Sequence, residues 1–562
     1  MFLLRLFLVQ IVRHNEYEAE ALGARTKQYE LIAKRGEVFM RDGKDGAIVP
    51  VIMNERTWTI FIDPSFVKDQ KMVEEKLGEV LTGKMRTDWS KVWQNPKNMY
   101  VEVAKDVDYK TVTKVKQLNL RGVGQKETAK RVYPAGDLAA AVLGFVNAEG
   151  VGAGVEGALD GRLKGENGLL KTVTDVNAIP LSIGENNVDI PAKNGENIVL
   201  SLDDNVQRKT EQVLSEAIKK GKGKIRSASA IIMNPNNGQV MAMANVPGFN
   251  PEKYYAVKDA AYFQNRVTGA PYEPASVCKT FTYAAAIDKG SIRPEDSYKN
   301  TGSTRVDDRE IKNAYGTENK TGILSFQKAL NYSLNTGSVE VMRRMGGGEI
   351  SPKVRETIYD YFYNRFGLGR KTGVELYEES GKIYSAKEAE GNAVRYANMS
   401  FGQGLNITML QVAAGFSAMI NGGNYYRPTV IAGTEEGNKL KEVIKAEPVR
   451  QGVIKASTSE TMRKMLAEVR YEAGGKTADR AGFLIGAKTG TAETLDANGH
   501  YTSQKTVASV LGFGGEKEKL PQYVIMLRLD GDALLWGSLD GLPVFTSLSN
   551  YMLGYLNLRP AQ

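Results

Sequence analysis

The chemistry in this chain begins with two residues at helical spacing. Ser276 and Lys279 sit in Tyr272-Glu273-Pro274-Ala275-Ser276-Val277-Cys278-Lys279-Thr280-Phe281. A serine hydroxyl is a weak nucleophile until a base takes its proton. Residues three apart on a helix share a face, so Lys279 reaches the Ser276 hydroxyl if the pattern running on to Gly290 folds as a helix. Lysine serves as that base only where burial or neighbouring positive charge lowers its pKa. The 562 residues include two histidines, His14 and His500, in very different settings. A Ser–Lys pair is therefore the economical reading, and a Ser-His-Asp triad is not.

Ser-x-x-Lys alone is a weak pattern. It recurs at Ser65–Lys68 and Ser325–Lys328, where each copy reads as a helix cap followed by a solvated lysine. Two later motifs single out the copy at 276: Ser333-Leu334-Asn335 and Lys488-Thr489-Gly490-Thr491. Ser-x-x-Lys, Ser-x-Asn and Lys-Thr-Gly in this order form the set found in penicillin-binding proteins and class A β-lactamases. A second Lys-Thr-Gly, at Lys371-Thr372-Gly373, follows the glycine-rich Phe366-Gly367-Leu368-Gly369 and reads as a loop. Lys488 follows Phe483-Leu484-Ile485-Gly486-Ala487, which reads as a buried strand, and is preferred for that context.

With these motifs in place, the chain resembles a class B penicillin-binding protein, a peptidoglycan D,D-transpeptidase of the cell-division type. The resemblance runs nearly end to end. Arg35-Gly36-Glu37-Val38-Phe39-Met40-Arg41-Asp42-Gly43 is similar to the family's opening motif. Arg131-Val132-Tyr133-Pro134-Ala135-Gly136, Leu138 to Phe145 and Gly154-Val155-Glu156-Gly157 resemble its non-catalytic domain. Asn265-Arg266, Tyr272-Glu273-Pro274, Phe401-Gly402-Gln403-Gly404, Thr408, Gln411 and Asn421-Gly422-Gly423 resemble stretches around the nucleophile. Four positions depart from the pattern. Met40 replaces an acidic residue, Ala275 stands where glycine is usual, and Val277-Cys278 replace Thr-Phe or similar. None removes a group that the chemistry needs.

The resemblance implies a mixed α/β fold: a transpeptidase domain with a five-stranded antiparallel sheet covered by helices, preceded by an elongated β-rich pedestal. It implies that Ser276 attacks the penultimate carbonyl of a D-Ala-D-Ala stem peptide, with Lys279 as general base. Ser333 would relay a proton to the leaving amine, Asn335 would hold the peptide backbone or Lys279, and Lys488 would add positive charge beside Ser333. Thr489 would bind the substrate carboxylate. Gly490 would leave the strand edge bare for the substrate backbone. The backbone N–H groups of Ser276 and Thr491 would form the oxyanion hole. Tyr283 and Asn406 are candidates for the cleft wall, or else serve core packing and a turn. No cofactor and no metal are implied. The implied partners are peptidoglycan stem peptides, β-lactam antibiotics, a membrane glycosyltransferase and other divisome proteins. A β-lactamase, a D,D-carboxypeptidase and a non-catalytic sensor or scaffold are the alternatives; no recognisable motif marks the deacylating water that a β-lactamase needs.

The elements that must position these residues read as follows. Phe2 to Val12 is apolar, interrupted by Arg5, and shorter than the roughly 20 residues that span a bilayer. By resemblance, residues 1–13 form the outer end of a single-pass membrane anchor whose first part the chain lacks, and 14–34 a juxtamembrane linker; an amphipathic surface helix is the alternative. Residues 35–192 carry short β-rich runs, Ala47 to Ile52 and Thr57 to Ile62, and no nucleophile with a base. The transpeptidase domain occupies 195–560. Within it, Asp203 to Ile218 reads as a helix, and Ser229 to Met233 and Gln239 to Met243 as a hairpin. Val507 to Phe513 and Tyr523 to Leu529 read as adjacent strands, and Phe545 to Leu556 as a terminal amphipathic helix. One cysteine, Cys278, allows no internal disulfide and no cysteine-cluster zinc site. Seventy-four Lys and Arg against 65 Asp and Glu give a net charge of +9, but the basic residues are dispersed apart from Lys219 to Lys224, and no nucleic-acid motif is present.

Overall fold

The computed structural model describes residues 2–13, 26–43, 46–83, 85, 88–95, 98, 100–147, 149–173, 188–314, 316–317, 319–442, 446–495 and 501–561. His14, His500 and residues 14–25 of the expected linker lie outside the described residues. The chain divides into two compact units, each discontinuous in sequence. The smaller comprises Met1–Val38, Pro50–Pro134 and Asp160–Ile198; the larger comprises Phe39–Val49, Ala135–Leu159 and Val199–Gln562.

The two runs read separately at 47–52 and 57–62 belong to one strand, Ala47–Ile62, whose part from Pro50 onward lies in the smaller unit. The charged stretch between them stays extended because it is paired, from Met53 opposite Val132 through Ile62 opposite Val123. Trp58, Ile60 and Ile62 alternate onto one face. They pack there with Val73 and Leu77 of helix Gln70–Val80 and with Val112 and Val115 of helix Tyr109–Gln117. Aspartates start both helices: Asp69 accepts from Met72 N and Asp108 from Thr111 N. Ser65, expected as a cap, is not one. Asp63 caps the turn Pro64–Phe66: its carboxylate accepts hydrogen bonds from both the backbone N–H and the side-chain hydroxyl of Ser65. Phe2–Phe7 is α-helical and Leu8–Val12 a π turn. Among the described residues no helix is long and apolar enough to cross a membrane.

The larger unit is built on a five-stranded antiparallel sheet. Its strands are β1 (Ile225–Met233), β2 (Val240–Val246), β3 (Phe483–Leu495), β4 (Tyr501–Glu516) and β5 (Tyr523–Gly531), in spatial order β2-β1-β5-β4-β3. The predicted hairpin is β1–β2, and the two late runs are the neighbours β4 and β5. Helices α1 (Asp204–Lys220) and α6 (Leu542–Tyr555) cover one face. Val213 and Leu214 of α1, with Phe545, Leu548 and Met552 of α6, pack on Ala230, Ile232, Ile525, Leu527 and Val510. Asp203 starts α1 by accepting from the backbone of Asn205 and Val206. Helix α4 (Met409–Ile420) packs on the sheet through Phe416, whose ring lies 6.1 Å from that of Phe513 on β4, and α5 (Ala456–Arg470) lies against β3 at Gly486. Being covered on both faces, β5 reads Tyr-Val-Ile-Met-Leu without alternation, every one of these residues buried.

Residues 135–159, within the 35–192 stretch, pack with this unit. Phe145 stacks on Tyr254 at 4.3 Å and meets Phe249 and Phe263, and Ala139 N donates to Glu211 of α1. Gly512 of β4 makes room for α6, since a Cβ there would lie 2.5 Å from the Phe545 ring. Phe545 is fully buried. Phe545→Ala is expected to destabilise the larger unit by about 3–5 kcal/mol, read as a lowered calorimetric transition; an unmoved transition would mean that α6 carries no core.

Candidate active site

Ser276 lies in a single 3₁₀ turn, Ala275–Cys278, that feeds α2 (Lys279–Asp288). Pro274 precedes the turn. Ala275 then takes a left-handed backbone, φ +50°, a conformation that crowds the Cβ of an L-residue. The conformation is held from outside. Ala275 N donates to Gly402 O at 3.1 Å, and a Cβ on Gly402 would stand 2.0 Å from Ala275 O. Glu273 accepts from Gly404 N at 2.8 Å. The Phe401-Gly402-Gln403-Gly404 stretch is thus the clamp on the nucleophile turn.

The Ser-x-Asn motif is a joint between two helices. Ser325 caps the short helix Phe326–Asn331, as the sequence suggested for this Ser-x-x-Lys copy, and Lys328 lies 3.5 Å from Glu472. That helix ends with Ser333 N bonded to Leu330 O and Leu334 N to Ala329 O, the paired hydrogen bonds of a Schellman end. Ser333 takes the left-handed position there, φ +58°. Leu334 is buried, and Asn335 is the first residue of α3 (Asn335–Met345). The spacing follows: a polar residue at the turn, an apolar anchor, and a polar residue opening the next helix.

Lys488 arrives from β3, the edge strand of the sheet. Five predicted residues converge. Lys279 Nζ is 3.0 Å from Ser276 Oγ, 2.8 Å from Asn335 Oδ1, 2.5 Å from the Ser333 carbonyl and 3.3 Å from Ser333 Oγ. Lys488 Nζ donates to Ser333 Oγ at 2.9 Å and to Thr489 O at 3.1 Å. The two lysines are 1% and 2% exposed. Loss of hydration disfavours an ammonium. Burial, and secondarily the charge of Lys488, holds Lys279 well below the ordinary lysine value, while burial brings Lys488 down to about 7. Cys278 is buried, and burial pushes its thiol up.

A cleft of about 580 Å³ opens above this cluster, with Ser276, Asn335 and Thr491 in its wall. Thr491 Oγ1 accepts from Gly537 N at 3.1 Å, and Thr489 lies against the same turn. Gly490 does more than bare a strand edge: a Cβ there would stand 2.6 Å from both Pro274 O and Ser509 Oγ, so only glycine lets β3 close against the nucleophile turn. Tyr283 is fully buried, which makes it a core residue and not a wall of the cleft. Asn406 pairs in an isolated bridge with Lys382. The second Lys-Thr-Gly is a loop tied to Glu378, which accepts from Thr372 Oγ1 and Gly373 N. Sequence reasoning missed Lys312, Asn313, Glu493, Leu534 and Trp536 in the cleft wall. Glu493 could have been found by strand alternation from Thr491; Lys312 ends a strand of a distant hairpin and the others come from loops, with no motif to mark them.

The family model described as the penicillin binding protein transpeptidase domain matches residues 228–548, and that for the penicillin-binding protein dimerisation domain matches 30–200. The chain belongs to the class B penicillin-binding proteins. It is 28% identical to Stage V sporulation protein D of Bacillus subtilis, over 99% of this chain and 83% of that protein. It is 27% identical to the peptidoglycan D,D-transpeptidase FtsI of Escherichia coli, over 94% of this chain and 85% of that one. The fold is similar to penicillin-binding protein 3 of Mycobacterium tuberculosis, solved in complex with aztreonam, with a TM-score of 0.69, 22% identity and coverage of 95% and 98% of the two chains.

The class B departure at Ala275 now has a geometry: this position is left-handed, which is where glycine costs least. The buried lysines give a direct test. With side-chain ε-carbons labelled in all lysines, one NMR resonance is expected to titrate near pH 7 and to vanish in Lys488→Met. Titration of every lysine above pH 9 would contradict the burial argument.

Proposed function

We propose that this class B penicillin-binding protein is a serine D,D-transpeptidase that cross-links peptidoglycan stem peptides through an acyl-enzyme on Ser276. The observation that carries the reading is the setting of the Lys279 amine. A neutral amine has two protons and one lone pair. The Ser333 carbonyl at 2.5 Å and Asn335 Oδ1 at 2.8 Å take the protons. The lone pair is left for the Ser276 hydroxyl at 3.0 Å. Ser276 Oγ then bonds to the penultimate D-Ala carbonyl as its proton passes to Lys279. The N–H groups of Ser276 and Thr491 receive the developing oxyanion, the largest single term in such catalysis. Collapse of the intermediate breaks the bond to the terminal D-Ala, whose amine takes a proton through Ser333, with Lys488 stabilising that hydroxyl. An acceptor amine attacks the ester, returns Ser276 its proton by the same route, and forms the cross-link. Thr489 holds the substrate carboxylate, and the β3 edge pairs with the substrate backbone.

A β-lactam presents a strained amide to the same serine and leaves a stable ester; aztreonam bound to the related mycobacterial protein supports this part. The chain acts at the outer face of the cell membrane, held by a single-pass N-terminal anchor, beside a membrane glycosyltransferase and other division proteins that meet residues 35–192. Septal wall synthesis is the reading that Tyr272-Glu273-Pro274 favours. The relative named for stage V sporulation supports a second setting for the same chemistry, the spore wall.

A fluorescent penicillin is expected to label the chain, and Ser276→Ala to abolish labelling; label on Ser65 or Ser325, or release within seconds, would sink the assignment. Lys279→Ala should slow acylation by roughly 10²–10⁴-fold, Lys488→Ala should also slow it strongly, and Lys371→Ala should leave it near the parent rate. The pH profile carries two signs. Acylation should fall as pH drops through the lowered pKa of Lys279, which must be neutral, and should fall again as pH rises past about 7 and Lys488 loses its charge. A rate that only rises with pH would remove Lys488 from the mechanism.

A further inference from the structure

Helix α3 opens on Asn335, yet its flanking residue Leu334 offers no side-chain cap. The first backbone N–H groups of a helix lack partners within it. Here the partner comes from another segment. The exposed hairpin Ser303–Val306 and Arg309–Lys312 runs directly into Asn313. Asn313 Oδ1 accepts from Thr336 N at 3.0 Å and lies 3.1 Å from Thr336 Oγ1. The preceding carbonyl, Lys312 O, accepts from Asn335 Nδ2 at 2.9 Å. One two-residue step therefore holds both the backbone and the side chain at the start of α3.

That contact decides which way the Asn335 amide faces. With its NH₂ group committed to Lys312 O, its Oδ1 must point the other way, where Lys279 Nζ lies at 2.8 Å. Asn313 is itself braced. Its Nδ2 donates to Asn300 Oδ1 at 3.3 Å, Asn300 Oδ1 lies 2.9 Å from Thr336 Oγ1, and Asn300 Nδ2 donates to the Lys320 carbonyl. Tyr298 Oη stands 3.2 Å from Thr336 Oγ1. Arg343, later on α3, donates to Thr304 Oγ1 at 2.8 Å and so ties the hairpin to the same helix. Asn300 and Thr336 are nearly fully buried. No motif covers Asn313 or Asn300.

We infer that Asn313 is a positioning residue of the acylation reaction: capping α3 from the hairpin, it fixes Asn335 so that the Asn335 carbonyl oxygen holds Lys279 aimed at Ser276. The inference rests on the serine-transpeptidase reading above. It also gives the hairpin a consequence, since a displacement at its base reaches the base of the reaction through two hydrogen bonds.

The test uses the full chain and the rate constant for acylation by a fluorescent penicillin, measured across pH. Asn313→Ala should slow acylation by roughly 10- to 100-fold, the scale on which small misplacements act. It should also shift the acid limb of the profile to lower pH. The sign follows because Asn335 Oδ1 favours the charged form of Lys279, and an amine that loses this acceptor gives up its proton more readily. Lys279 is faced by Lys488 of β3 and by neutral Ser276, Ser333 and Asn335; Tyr283, buried one turn along α2, stays protonated. Asn313→Asp keeps an acceptor for Thr336 N but loses the Nδ2 donor to Asn300 Oδ1 and adds a negative charge that favours the charged form of Lys279, so it should recover part of the rate and move the limb to higher pH, opposite to Asn313→Ala. If Asn313→Ala proves unstable, Asn313→Gln moves the acceptor off Thr336 and should show the same slowing and shift. Slowing in Asn313→Ala or Asn313→Gln with the limb unmoved, or an Asp variant whose limb moves the same way as that of the Ala variant, would reduce Asn313 to a structural role and overturn the inference. An unlabelled parent chain would instead overturn the transpeptidase reading on which it stands.

Discussion

Two lysine amines buried around one serine hydroxyl are the constraint from which the rest of this site follows. Lys279 and Lys488 both approach Ser333 Oγ, at 3.3 and 2.9 Å. In water each would carry a charge up to pH 10. Inside the larger unit neither can be hydrated, and two ammonium groups sharing one hydroxyl would repel. The molecule resolves this by lowering both pKa values, that of Lys488 through burial and that of Lys279 through burial and the charge of Lys488. A lysine becomes a usable base at neutral pH by this route, and among the described residues no histidine stands in the cluster. The helical layers and the sheet are what keep water away. Their apolar bulk is a chemical requirement as well as a source of stability.

The cluster also stores strain where chemistry is done. Ala275 and Ser333, the residues at the two joints that present the nucleophile and the Ser-x-Asn group, both have positive φ and are not glycine. Such a conformation costs an L-residue roughly 1–2 kcal/mol, and it persists only where surroundings over-determine it. At Ala275 the surroundings are Gly402 and Gly490, which press backbone against the turn from two sides. At Ser333 they are the Schellman hydrogen bonds and the buried anchor Leu334. Ser333 gains a function from the strain, since the left-handed turn brings its carbonyl and its hydroxyl to the same lysine.

The five catalytic candidates come from three places far apart in sequence, and the sheet is what unites them. β3 is placed last in the sheet order, so its Lys488 faces a helix layer assembled more than a hundred residues earlier. The smaller unit supplies none of these groups. Its Trp58, Ile60 and Ile62 form a separate core with the helices that follow.

Much of this was legible in the residues themselves. Ser276 and Lys279, the proposed nucleophile and base, are three positions apart across the turn that feeds α2, a local relation that spacing alone encodes. The strands β1, β4 and β5 announce themselves by apolar runs, and α1 by Asp203 at its start, because burial and capping select residue types directly. The choice of Lys488 over Lys371 was also readable, since one follows a buried run and the other a chain of glycines. What spacing could not encode was anything across the cleft. Ser65 looked like a cap until Asp63 proved the better acceptor. Tyr283 looked available for the cleft until the core closed over it. Gly490 looked like an open edge until Pro274 O was found 2.6 Å from where a side chain would begin. Asn313, Leu534 and Trp536 carry no local signature, because a hydrogen bond or wall contact across the cleft depends on which loops the tertiary fold brings together. Which residues do chemistry was written in the order of the chain; their protonation, their orientation and their neighbours came into being only when burial removed water from around them.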